Sequence, residues 1–133
     1  MIAWQDSYST GVEELDKQHK RLFQYTNDLG KMIEDNAVSK NVLEAALLFL
    51  GKYAQVHFGR EEICMFKHQC PVAASNKQTH EQFLQKFKAI ETIVKADGGN
   101  ESTVIELHRF LENWLIDHIC TIDVQLKPCV EHK

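Results

Sequence analysis

The chain has 133 residues, 44% of them hydrophobic and 26% charged, with a formal net charge of −4. That length suits one domain with a real core, and the composition is that of an ordinary soluble globular protein. The mild acidity, with Lys and Arg scattered and in no run of five or more, argues against the basic face of a nucleic-acid binder.

Residues 1–11 read as an extended N-terminal arm, with Trp4 and Tyr8 placed to pin it to the body. Met1-Ile2-Ala3-Trp4-Gln5-Asp6 lacks the basic start and apolar run of a signal peptide. No stretch approaches the ~18 apolar residues of a membrane span, so the cytoplasm is the expected location.

The spacing then predicts four long helices and almost no strand. The first runs from about Val12 to Glu34, with Leu15, His19, Leu22, Leu29 and Ile33 on one stripe and Phe23 beside them. The second runs from about Ser39, a plausible N-cap, to Phe66, its stripe leading through Val42, Leu43, Ala46, Leu47, Leu50 and Ala54 to His57. Pro71 marks a turn. The third begins at Val72 or Ser75 and reaches Ala96, carrying His80, Phe83, Phe87, Ile90 and Val94. Asp97-Gly98-Gly99-Asn100 is the clearest stop-and-start signal. The last helix is expected from about Glu101 to Lys127, ending before Pro128, with Leu107, Leu111, Trp114 or Leu115, His118 and Ile122 inward. Short links between long amphipathic helices give an all-α, up-down-up-down four-helix bundle.

The cysteines are Cys64, Cys70, Cys120 and Cys129, and they form no C-x-x-C pair. Neither a zinc knuckle nor a thioredoxin-like motif is supported. Free thiols packed in or near helices are the expectation for a cytosolic chain of this size.

The histidines carry the main functional signal. His68 lies in a loop, His132 at the tail, and His108 is rotated by about 80° from His118 on an ideal helix. His19, His57, His80 and His118 remain, each on the apolar stripe of a different helix. A lone imidazole on an apolar face is usually hydrogen-bonded core. Four of them, one per helix, would each cost desolvation without purpose, whereas a metal in the bundle core would use them all.

Carboxylates accompany them. Glu61 follows His57 by one helical turn, about 40° away, so both can point into one site. Glu62 reads as a solvated surface acid. Asp123 lies about 140° from His118 on an ideal helix. On spacing alone, ligation and a surface acid near the helix end stay equally open for it. Zinc would need four ligands, so six candidates suggest two ions bridged by carboxylates. No E-x-x-H occurs, which sets the carboxylate-rich ferritin-like pattern aside.

Several short pieces fall in one order along nearly the whole chain: Trp4, Gly11, Asp16-Lys17-Gln18-His19 and His57-Phe58-Gly59-Arg60-Glu61-Glu62. Met65, Pro71, His80 followed by Phe83, Trp114-Leu115, and His118 through Asp123 continue them. Together they resemble a bacterial hemerythrin domain, covering residues 1–133 whether free or cut from a larger signalling protein. The resemblance implies two non-haem Fe ions with a bridging oxo or hydroxo group. His19 and His57 would hold one iron, His80 and His118 the other, with Glu61 and Asp123 bridging. It also implies that Trp114 and Leu115 line an O2 pocket; core packing alone would also account for them. Gln18 is a candidate to hold an imidazole N–H from behind.

The family pattern has a further histidine four residues before His80, where this chain has Asn76. An amide oxygen is a poor substitute for imidazole on iron, so Asn76 is expected to be an open or weak ligand position. The alternative is a slipped register with Asn76 on the helix surface. With two histidines per iron, bound O2 would be lost sooner. The expectation is an O2-binding or redox-sensing domain that autoxidises readily and regulates an attached output module, such as a diguanylate cyclase or chemoreceptor. The domain alone is not expected to be an enzyme. Its partners would be O2 or small anions, with no nucleic acid and no membrane contact. A free O2 carrier or store, a peroxidase-like di-iron redox enzyme and a structural bundle with buried histidines are the competing readings.

Overall fold

The fold of residues 1–131 is seen in a computed structural model. His132, set aside above as a tail residue, lies outside the described residues. Four long helices pack in sequence order: α1 (Glu13–Glu34), α2 (Lys40–Lys67), α3 (Ala73–Asp97) and α4 (Glu101–Thr121). A short helix, α5 (Leu126–Glu131), follows, and no strand occurs among the described residues. Helix α1 packs on α2 and α4, and α3 packs on α2 and α4, which closes the up-down-up-down bundle.

The helix ends follow local chemistry. Glu13, Glu14 and Asp16 crowd the first turn of α1, where the helix dipole favours acids. Ser39 caps α2, its Oγ accepting the Val42 N–H at 3.3 Å. Helix α3 ends at Gly98, whose φ of 75° is the left-handed cap that glycine takes at least cost. The Asn100 side chain accepts the Ser102 N–H at 2.9 Å and opens α4.

Helix α4 departs from the expected continuous run to Lys127. It stops at Thr121, and Asp123–Gln125 form a 3-10 turn before α5. Pro128 therefore sits inside α5, in its first turn, where the missing N–H has no intrahelical partner to lose. Ile122 is half-buried at the break, packed with Leu126 on the lower apolar cluster.

That cluster is small and comprises Leu15, Met65, Cys70, Ala73 and Leu126. A larger one fills the rest of the bundle, from Leu22 and Phe23 on α1 through Phe58, Phe83 and Leu107 to Leu115 and Ile119. A polar layer lies between the two along α1, α2 and α3. On α1 the order is Leu15, His19, Leu22. On α2 it is Phe58, Glu61, Met65. On α3 it is Ala73, Asn76, His80, Phe83.

Cys70 and Cys129 are joined in a disulfide with Cα atoms 5.6 Å apart, which corrects the expectation of free thiols. The bond ties the α2–α3 turn to α5. Cys64, half-buried, and Cys120, exposed, are free as expected.

The arm is held as Trp4 and Tyr8 foretold. Both rings pack on Phe23 of α1 with centroids 6.0 Å away. Asp16 accepts the Thr10 N–H and Oγ–H, each at 2.8 Å, and the Ser9 Oγ–H at 2.6 Å. Gly11, at φ 78°, brings the arm against α5, where a Cβ would meet Val130 and Lys127 at 3.1 and 3.2 Å. No helix among the described residues is long and apolar enough to cross a membrane.

Candidate metal centre

The polar layer gathers all six residues singled out as ligands. His19, His57, Glu61, His80, His118 and Asp123 are each no more than 4% exposed. They come from α1, α2, α3, α4 and the 3-10 turn after α4.

Two carboxylates organise the four imidazoles into two pairs. Glu61 Oε2 lies 3.0 Å from His19 Nε2 and 3.3 Å from His57 Nε2. Its other oxygen, Oε1, lies 3.2 Å from His80 Nε2 and 4.0 Å from His118 Nε2. Asp123 repeats the division: Oδ2 is 3.1 Å from His19 Nε2, and Oδ1 is 3.0 Å from His118 Nε2. The donors thus form two groups, His19–His57–Glu61 and Glu61–His80–His118–Asp123, each with ligand atoms within 4.8 Å of one another. The break after Thr121 brings Asp123 inward, which an ideal helix could not do.

Two contacts set ring tautomers. The His57 Nδ1–H donates to Gln18 Oε1 at 2.6 Å. The His80 Nδ1–H donates to Glu62 Oε2 at 3.1 Å. Each leaves Nε2 as a bare lone pair facing a carboxylate oxygen. Such an arrangement calls for a proton or a metal cation between the two. Asp123 Oδ1 makes the same point, being buried and close to His118 without a hydrogen-bonding alignment. Imidazole and carboxylate donors without a thiolate suit iron and its neighbours. The residues therefore fit a pair of such ions.

Among the protein groups themselves, protons stand where cations would. Burial pushes His19 down, but hydrogen bonds to Asp123 and Glu61 outweigh it and raise the pKa to about 10. Burial also opposes the Glu61 charge, yet hydrogen bonds from His19, His57 and His80 hold its carboxyl well below the usual range. His57 is lowered, because burial exceeds the pull of Glu61.

Aromatic rings wall the site. Phe58 stacks flat on His80, with centroids 3.9 Å apart and planes 8° from parallel. Trp114 stacks on His118 at 4.4 Å and 13°. Leu115 is buried one turn before His118.

Asn76 is fully buried and not on the helix surface. Its Nδ2–H donates to Glu61 Oε1 at 3.2 Å, and its Oδ1 is buried without a partner.

Glu62 corrects the sequence reading. It is no free surface acid: its side chain is 21% exposed, and it reaches across the α2–α3 interface to His80. Helical spacing puts Glu62 off the inner stripe of α2, and only the packing of α3 supplies its partner. His108, set aside by rotation, lies apart from the metal donors, with Nε2 against Gly30 of α1.

Comparison with known proteins agrees with this architecture. The Hemerythrin HHE cation binding domain family matches residues 10–130. A bacteriohemerythrin of Pseudomonas aeruginosa (strain LESB58) is 30% identical over 133 residues, covering 98% of this chain and 82% of that protein. A hemerythrin-like protein of Naegleria gruberi is 30% identical over 124 residues, covering 93% of this chain and 89% of that one. A crystal structure of wild-type hemerythrin superposes with a TM-score of 0.82 at 26% identity, covering 98% of both chains. The chain therefore belongs to the hemerythrin family, whose cofactor is a di-iron centre that binds O2.

Proposed function

We propose that His19 and His57 hold one iron and His80 and His118 the other, with Glu61 and Asp123 bridging. We further propose that the chain works as an O2- or redox-responsive sensor domain that oxidises readily in air. The observation that carries the ligand assignment is the division of each buried carboxylate between two histidine pairs. When bound, the iron pair supplies one-electron redox chemistry and a place for O2.

The sensor reading rests on Asn76. It stands four residues before His80 and offers an amide where imidazole would be the stronger donor. Its Nδ2–H is spent on Glu61, and its unpartnered Oδ1 suits an exchangeable water or small anion. Phe58 and Trp114 cover the ring faces of His80 and His118, and Leu115 is buried one turn before His118. A readily exchanged position shortens the life of bound O2, which suits a signal better than a store.

Asp123 gives the signal a path. It opens the 3-10 turn that leads into α5, and α5 is tied through Cys129 to the α2–α3 turn. A change in what Asp123 binds acts on the C-terminal helix, where an output module such as a diguanylate cyclase or chemoreceptor would attach. A free O2 carrier is the second reading.

The test is stopped-flow absorption of the reduced, iron-loaded protein mixed with O2. Rapid oxidation, slowed in Asn76→His, is the expected result. An oxygenated form lasting many minutes in the unaltered chain would establish the carrier instead.

A further inference from the structure

We infer that Glu62 is a positioning residue for His80 and makes the two halves of the centre chemically unequal. The inference rests on the ligand assignment proposed above. Of the four imidazoles, two have a partner behind them, and the partners differ in charge. His57 Nδ1–H donates to the neutral amide oxygen of Gln18 at 2.6 Å. His80 Nδ1–H donates to the carboxylate of Glu62 at 3.1 Å. His19 Nδ1 and His118 Nδ1 are buried with no partner.

A partner behind the ring fixes which nitrogen keeps the proton and holds the ring's orientation. Both Gln18 and Glu62 do this. Only Glu62 adds a negative charge, which polarises the ring and makes Nε2 the stronger donor. Glu62 pairs with no Lys or Arg among the described residues, so that charge is not cancelled locally. The His80 ring is also clamped by Phe58, flat against its face at 3.9 Å, so it cannot turn away from the carboxylate. The half of the site on α3 and α4 is therefore the more electron-rich. Loss of the Glu62 charge would favour the reduced pair.

Three variants separate orientation from charge in the iron-loaded protein. Glu62→Gln keeps an acceptor for the His80 N–H but removes the charge. Glu62→Ala removes both. Glu81→Gln removes an equal charge from the exposed face one residue after His80, without the contact. The readouts are iron per chain, Fe2+ affinity against a competing chelator, and the midpoint potential from a spectroelectrochemical titration.

Glu62→Gln should retain two irons per chain and shift the midpoint upward, while Glu81→Gln leaves it in place. Glu62→Ala should in addition weaken Fe2+ binding by about 10-fold or more, the usual loss when a partner behind a ligand is removed. Equal shifts in Glu62→Gln and Glu81→Gln would overturn the positioning role. So would unaltered affinity in a folded Glu62→Ala, checked by circular dichroism. A wild-type chain that takes up no iron would instead sink the ligand assignment on which this rests.

Discussion

Asp123 Oδ1 lies 3.0 Å from His118 Nε2, although an unbroken helix would set the two residues about 140° apart. The contact exists because α4 stops at Thr121 and the chain tightens into a 3-10 turn at Asp123. Leu126, fully buried three residues on, anchors the far side of the break in the lower apolar cluster. Replacing the carboxylate without changing its shape tests whether the break serves the metal. Asp123→Asn should fall from two irons per chain to one or fewer by elemental analysis, with helix content unchanged. Full loading would show that Asp123 is not a ligand.

The Cys70–Cys129 bond closes a loop of 59 residues. By chain entropy a cross-link of that span stabilises by up to about 4 kcal/mol, less any strain. It holds α5, and through it Asp123, against the base of the bundle. Reductant should lower the midpoint of chemical denaturation. A Cys70→Ser/Cys129→Ser double variant should show the lower midpoint from the outset and ignore reductant. Identical curves with and without reductant in the unaltered protein would mean that the bond contributes nothing.

The four histidines were legible because each falls on a helical stripe whose period the sequence displays. Glu61 followed from His57 by one turn. Asp123 was ambiguous on spacing, because the break that turns it inward comes from the docking of Leu126, a tertiary contact. Glu62 was misread for a related reason: nothing on α2 reveals that His80 arrives beside it. Cys70 and Cys129 looked free because their meeting depends on where α5 lands, and the expected helix ran straight past that point. Local periodicity carried the bundle and its candidate ligands, and contacts between elements decided the rest.

Phe58 does two jobs in one ring. It is 4% exposed within the main apolar cluster, and it lies flat on His80. Truncating a buried Phe to Ala typically costs about 3–5 kcal/mol, a large share of a small domain's stability. Phe58→Ala should therefore destabilise strongly in urea denaturation. Phe58→Leu should recover most of the stability while leaving the His80 face unstacked. A loss below about 1 kcal/mol for Phe58→Ala would show that the cavity collapses around the site.

Asp97 gives a pH dependence whose sign is fixed. Its carboxylate accepts the Gly99 N–H at 2.9 Å, the Asn100 N–H at 3.2 Å and the Thr103 hydroxyl at 2.9 Å, and so locks the α3–α4 turn. The Gly99 N–H foremost, with Asn100 and Thr103, holds its pKa below the ordinary 3.8, against desolvation. A folded pKa below the unfolded one means stability that is present above 3.8 and lost as pH falls through the folded value. Asp97→Ala should thus be less stable than the unaltered protein at neutral pH, and the gap should narrow below pH 3.8. A gap that stays constant from pH 7 to pH 3 would assign the effect to the neutral hydrogen bonds alone.

Removing the metal tests the polar layer as a whole. Bare imidazole lone pairs face carboxylate oxygens at 3.2 and 3.3 Å, an arrangement that only a cation or a proton relieves. Ions that bind the folded chain and not the unfolded one stabilise by mass action, about 2.7 kcal/mol at free metal 100 times the dissociation constant. Chelation should therefore lower the melting temperature, and Fe2+ returned anaerobically should restore it in proportion to the logarithm of its concentration. His80→Ala, which removes one donor from the second group, should recover less at every Fe2+ concentration. A melting temperature indifferent to chelator and to Fe2+ would mean that protons alone satisfy the layer, and the bundle would then be a structural one with buried histidines.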